Sequence, residues 1–116
     1  MITIEDFSKI EIKVGKVVEA SNVEGSEKLI RLIVDFKEDQ PRTIFTGVRG
    51  YGYVPEDFTG KQFLFVTNLE SKKIMEWESQ GMILAVDGSE MQIGDKTFLK
   101  PLFVSADGLP VGSKVR

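Results

Sequence analysis

Residues 10–20 read IEIKVGKVVEA, and the order of apolar and polar side chains within them decides the fold. Ile10, Ile12 and Val14 alternate with Glu11 and Lys13, the period of a strand with one buried face, and Gly15 offers a place for that strand to bend. A long, curved first strand is expected. The polar turn SNVEGSEK (residues 21–28) leads into LIRLIVDF (29–36), rich enough in β-branched and aromatic residues for a second, largely buried strand. After EDQPR turns the chain, TIFTGV (43–48), QFLFVTNL (62–69) and GMILAVDG (81–88) give a third, fourth and fifth strand. Between the third and fourth, RGYGYVPEDFTGK places Pro55 at the head of one helical turn, PEDF. Asp87-Gly88, Gly94-Asp95 and Asp107-Gly108 mark turns in a C-terminal tail of short strands, FLKPLFV among them.

The pattern predicts an all-β fold: a five-stranded Greek-key barrel of the OB type over about residues 8–88, with a short helical turn and a C-terminal β extension over about 89–116. An SH3-like barrel or small sandwich is the competing architecture. The 116 residues suffice for one domain with one core, residues 1–116, and are too few for two.

Composition removes most chemistry. With no cysteine and no histidine, thiol nucleophiles, imidazole acid/base catalysis and the usual zinc or iron ligand sets are excluded. No metal site, cofactor or catalytic residue is predicted. Ser71 beside Lys72 is adjacency without a constellation, and Glu76 with Glu78 reads as solvated charge. RGYGYV lacks both the GxGxxG spacing and the lysine of a phosphate loop, so it reads as a turn. No run approaches the ~20 apolar residues of a membrane helix, and MITIEDFSK lacks the pattern of a signal peptide, so a cytoplasmic, non-membrane protein is expected.

Binding is the better-supported class. The net charge of −3 argues against an indiscriminately basic coat, but the charges are unevenly placed: acid gathers in DFKEDQ and DGSE, whereas Lys61, Lys72 and Lys73 have only Glu70 among them. In an OB barrel, strands 2 and 3 and the loops joining strands 1–2 and 4–5 form the oligonucleotide surface. The first of those loops ends in Lys28, with Arg31 beyond it; the second carries Lys72, Lys73 and Trp77. Both edges of the expected groove hold cations, and one holds a ring able to stack on a base. Equally open on composition is a plainer reading, with solvated lysines and Trp77 packed on the barrel rim.

Four ordered blocks, EIKVGKV (11–17), SEKL (26–29), YVPEDFTGK (53–61) and NLESKKIMEWESQGM (68–82), resemble the free-standing tRNA-binding domain. That domain also occurs at the C-terminus of many methionyl-tRNA synthetases. The resemblance covers about residues 6–88. It implies an OB fold that binds tRNA by shape without catalysis, and a homodimer assembled with help from Met91 to Arg116. Carried over by position, the implied contacts are Lys28, Asn68, Lys73, Ser79 and Met82. Charge adds Lys72, Arg31 and Arg42. Lysines would meet phosphates, Asn68 and Ser79 would bond sugar or backbone, and Met82 would touch a base face.

The chain departs from the family pattern at several positions. Glu24 and Glu27 flank Lys28, Lys13 stands for an arginine, Glu70 for a lysine and Glu76 for a glycine. Weak or selective tRNA binding is therefore expected, with a dimer compensating through effective concentration. A related branch of the domain is made of dimeric export-type chaperones, and Ile74, Met75 and Trp77 would suit an unfolded polypeptide. A further implied role is that of an accessory or detached subunit recruiting tRNA to methionyl-tRNA synthetase.

Overall fold

In the computed structural model, which describes residues 1–74 and 76–116, the 10–20 stretch lies within β1 (Ile12–Asn22). It is followed by β2 (Ile30–Asp35) and β3 (Arg42–Thr46), two 3-10 turns (Arg49–Tyr51 and Pro55–Asp57), and β4 (Gln62–Val66). Then come β5 (Lys72–Ile74), β6 (Trp77–Ser79), β7 (Met82–Ile83), β8 (Ala85–Ile93) and β9 (Lys96–Phe103). β3, β2, β1, β4 and β7, in that spatial order, form an antiparallel sheet. It curls into a nearly closed OB-like barrel, as expected from the sequence.

Alternation explains the interior. In β2, Ile30, Leu32 and Val34 are fully buried while Arg31, Ile33 and Asp35 face out, the two-residue period of a strand with one wet face. Val17, Ile44, Phe58, Phe63 and Phe65 complete the core. Gly15, where a bend is expected, stands beside Lys16, where β1 passes from pairing with β4 to pairing with β2, and it also makes room for packing. A Cβ there would lie 2.6 Å from both Phe36 and Val34 and 2.8 Å from Phe65, so its missing side chain admits the edge-on Phe36–Phe65 pair, with ring centroids 5.3 Å apart. A register irregularity in the β1–β2 ladder falls between Val17 and Glu19.

Three expectations are corrected. The anticipated fifth strand divides: β7 pairs with β4 for two residues, and from Ala85 the chain leaves the barrel in the long β8–β9 hairpin. Asp87-Gly88 lies inside β8, at a register irregularity between Asp87 and Glu90, while Gly94-Asp95 makes the hairpin turn. The loop between β4 and β7 is itself a hairpin, β5–β6. An N-terminal helix, α1 (Ile4–Ser8), also forms, nucleated by a capping box between Thr3 and Asp6.

The chain's last residues return to the barrel. Val14 N–H donates to Ser113 O at 2.9 Å, and Val115 N–H to Ile12 O at 2.8 Å, so the tail pairs with the end of β1 that β2 leaves free. β8–β9 leaves Val86, Leu99 and Leu102 exposed.

Candidate nucleic-acid interface

The β5–β6 hairpin lies against the outer face of β3. In the pairing of β5 with β6, Lys72 and Ile74 share a face with Ser79 and Trp77, while Lys73 and Glu78 share the other. The first face is turned to the barrel: Ile74 and Trp77 pack on a small satellite core of Val23, Leu29 and Phe45, with the Trp77 and Phe45 ring centroids 6.1 Å apart. Val23 and Leu29 belong to the loop that carries Lys28. One apolar cluster therefore holds together the two cation-bearing loops at the edges of the expected groove.

Around the hairpin are three clefts. One, of about 500 Å³, has Phe45, Leu69, Lys72, Ile74 and Met82 in its walls and Ser79 and Gly81 at its floor. Leu69 and Met82 are exposed apolar residues there. The other two lie on either side of Arg31 and Trp77, which line both. Lys73 sits apart, on the outer hairpin face opposite Glu78. Lys28 is exposed on a pinned loop: Ser26 Oγ accepts from the Lys28 and Leu29 N–H groups at 3.2 and 3.1 Å, Arg49 N–H donates to Lys28 O at 3.2 Å, and the Arg49 guanidinium donates to Ser26 O.

Three of the anticipated contact residues are engaged within the chain. Asn68 Oδ1 accepts from Glu11 N–H at 2.8 Å and its Nδ2 donates to Lys9 O at 2.6 Å, tying the end of β4 to the residues before β1. Ser79 is buried; its Oγ accepts from Phe45 N–H and donates to Gly81 O, both at 3.1 Å. Gln80 adds a backbone bond to Thr43 O at 2.8 Å and accepts from Thr43 N–H through its side chain at 2.9 Å. Ser79 and Gln80 thus bridge the gap between β3 and β7 where no regular ladder closes the barrel. Gly81, at φ 151, lets the chain pass Val66 O, which a Cβ would meet at 3.0 Å.

Arg42 clips the same gap. Its guanidinium grips Glu38 with two bonds of 2.8 Å and donates to Thr67 O at 2.5 Å and Gln80 O at 3.3 Å. Hydrogen bonding to Arg42 holds the Glu38 carboxyl below the usual carboxylate range. The Thr67 hydroxyl, at 2.7 Å, does the same for Glu11, with help from Lys13. Sequence reading missed Arg49 and Gln80 as framework residues; Arg49 was hidden in a glycine-rich turn, and nothing local distinguishes Gln80. Met75, expected among the apolar loop residues, lies outside the described residues.

Among the described residues, no group of three or more acidic side chains could hold a metal ion, and no helix is long and apolar enough to cross a membrane. The site is a set of small clefts that combine cations, an aromatic ring and apolar walls with the carboxylates of Glu24, Glu70, Glu76 and Glu78, an arrangement suited to binding.

A family model described as "Putative tRNA binding domain" matches residues 12–107. The chain belongs to this tRNA-binding domain family. A methionine–tRNA ligase of Methanococcus aeolicus is 41% identical over 115 residues, which are 99% of this chain and 16% of that protein. This tRNA-binding domain thus spans only about a sixth of the length of that relative. Among solved structures, a MetRS related protein from Pyrococcus horikoshii is 37% identical, with a TM-score of 0.78 over 100% of this chain and 98% of its own. The CsaA chaperone protein from Picrophilus torridus is 25% identical, with a TM-score of 0.80 over the whole of both chains.

Proposed function

We propose that this chain is a non-catalytic, cytoplasmic tRNA-binding protein that serves as an accessory or detached counterpart of the domain carried by methionyl-tRNA synthetases. The observation that carries this reading is the satellite core: it seats the Lys28 loop and the Lys72 hairpin side by side on the outer β2–β3 face, where an OB barrel meets oligonucleotides. Lys28, Arg31, Lys72, Trp77 and Met82 meet the RNA, with Lys73 at the margin on the outer hairpin face; Arg42, Asn68 and Ser79 hold the frame that presents them. A homodimer formed through the exposed apolar side chains of β8–β9 gives two such sites on one body. A monomer in sedimentation at working concentration would remove that part.

The test is a titration with total tRNA at low and near-physiological salt, with single-stranded DNA and an unfolded polypeptide as controls. Saturable, salt-sensitive binding that favours tRNA is expected. Retention of the polypeptide alone, without salt dependence, would favour the chaperone reading, for which the apolar groove of Phe45, Leu69, Ile74 and Met82 is suited. Lys28→Ala and Lys72→Ala should each weaken tRNA binding about three- to tenfold and flatten the salt slope by about 0.7–0.9 per phosphate contact. Lys73→Ala should do less, because Lys73 lies across from Glu78 on the face turned away from the groove. Equal slopes in wild type and all three variants would remove these lysines from the interface.

A further inference from the structure

One cleft beside Trp77 has a chemistry that phosphate does not explain. It has a volume of about 370 Å³ and is lined by Ser21, Asn22, Val23, Glu24, Arg31 and Trp77. That lies near the low end of the ~300–1,000 Å³ typical of small-molecule sites, enough for one base and too small for a duplex. Strand pairing fixes its floor: Ser21 lies across from Arg31, and Arg31 across from Phe45, in one row on the outer face of β1, β2 and β3. Trp77 rests on Phe45 at the end of that row. Glu24 adjoins Val23, whose side chain is buried in the satellite core, so the carboxylate-bearing turn and the indole are anchored to the same cluster.

Among the described residues, neither Arg31 nor Glu24 makes an ion pair or a side-chain hydrogen bond. A carboxylate in the cleft repels phosphate, which argues against Arg31 serving as a simple phosphate clamp. The ligand that suits an aromatic face, a guanidinium and a carboxylate together is a neutral planar group with acceptors on one edge and donors on another. Guanine has this pattern: O6 and N7 accept from an arginine, and its Watson–Crick edge presents N–H donors to a carboxylate. Bases splayed out of RNA are bound in this way, stacked on a ring and read along their edges.

We propose that Trp77, Arg31 and Glu24 form a subsite for an unpaired guanine of the bound RNA. Trp77 stacks on the base, Arg31 donates to O6 and N7, and Glu24 accepts from the Watson–Crick edge. This deepens the tRNA-binding reading and rests on it for the source of the base.

Trp77 is the chain's one tryptophan, so its fluorescence reports the site directly. The pentanucleotides UUGUU, UUAUU and UUCUU, each carrying a 5′ dye, are titrated with wild type, Glu24→Gln, Arg31→Gln and Trp77→Phe and followed by dye anisotropy in all four proteins and by indole emission in the three that keep Trp77, with GMP as competitor and total tRNA measured in parallel. Wild type should bind UUGUU about tenfold more tightly than the other two and lose indole emission as it does. Glu24→Gln and Arg31→Gln should each reduce that preference to threefold or less with an unchanged melting temperature, and Trp77→Phe should keep the preference at lower affinity. If Glu24 acts only by repelling phosphate, Glu24→Gln will tighten all three oligonucleotides equally, which overturns the proposal. Saturable tRNA binding with no guanine preference also overturns it and leaves the tRNA reading standing. A guanine preference without tRNA binding supports the subsite and removes tRNA as its source, and GMP competing as well as UUGUU makes a free nucleotide the ligand.

Discussion

Replacing Phe58 by alanine is expected to cost about 3–5 kcal/mol of folding stability, the range for a fully buried aromatic side chain, and to lower the melting temperature by roughly 10–20 °C. Phe58 follows the Pro55–Asp57 turn and is completely buried. Its ring lies 5.7 Å from that of Phe63, 5.2 Å from Phe103 and 5.9 Å from Tyr53. These three residues come from β4, β9 and the segment between the two 3-10 turns, so one ring joins the barrel to the C-terminal hairpin. Domains of this size retain only about 5–15 kcal/mol of net stability, and the loss is a large part of it. Chemical denaturation followed by Trp77 emission measures it, because Trp77 packs in the separate satellite core and keeps its environment until the barrel unfolds. Phe58→Leu, which restores most of the volume, should recover more than half of the loss. A Phe58→Ala midpoint within experimental error of wild type would show that β9 is held by other contacts, chiefly the Tyr53 hydroxyl donating to Pro101 O at 2.5 Å.

Much of this architecture was legible in the sequence because local pattern and tertiary role coincide there. In β2, the alternation of Ile30, Leu32 and Val34 with Arg31 and Ile33 fixes both the strand and its buried face. Pro55 marks the turn that delivers Phe58. What escaped depends on partners distant in the chain. Gly15 reads as a bend from its neighbours, but the room it leaves for Val34 of β2, Phe36 just after β2 and Phe65 of β4 depends on residues distant in the chain. The β5–β6 hairpin is three residues per strand, too short for a periodic signal, and is held by Trp77 and Ile74 packing on Val23, Leu29 and Phe45. The same limit applies to the site. Lys28 and Lys72 could be placed on facing loops from the order of strands alone, whereas nothing in NLESKKIMEWESQGM shows that Ser79 points inward to Phe45 while Lys72 borders a cleft.

Arg42→Met should lower stability at neutral pH by about 1.5–3 kcal/mol, the range for hydrogen bonds to a charged group, and should also flatten the acid side of the stability curve. The side chains of Arg42 and Glu38 are 22% and 33% exposed, so solvent screening keeps the effect below that of breaking a fully buried pair. The geometry gives the loss a location. Arg42 begins β3, Thr67 follows β4 and Gln80 follows β6, and the one guanidinium bonds the carbonyls of both while held by Glu38. Methionine keeps an unbranched apolar stem but removes every donor and the guanidinium that lies 5.4 Å over the Phe36 ring. Because Arg42 depresses the Glu38 carboxyl in the folded chain, its contribution is fully present above the ordinary glutamate value of about 4.3 and disappears as pH falls through the lower folded value. Glu11, depressed by Thr67 and Lys13, behaves with the same sign. Wild-type stability should therefore change little through these two groups between pH 7 and about 5 and decline below about 4.3, whereas Arg42→Met should decline less steeply there, keeping only the part due to Glu11. Urea midpoints taken across that range decide it: parallel curves for the two proteins would mean that Glu38 titrates independently of Arg42. A variant curve that draws towards wild type at low pH would show that the Glu38 carboxylate and the Arg42 guanidinium stabilise the barrel as a pair, at the gap where β3 and β7 share no regular ladder. The same pair would then hold in register the hairpin that presents Lys72 and Trp77.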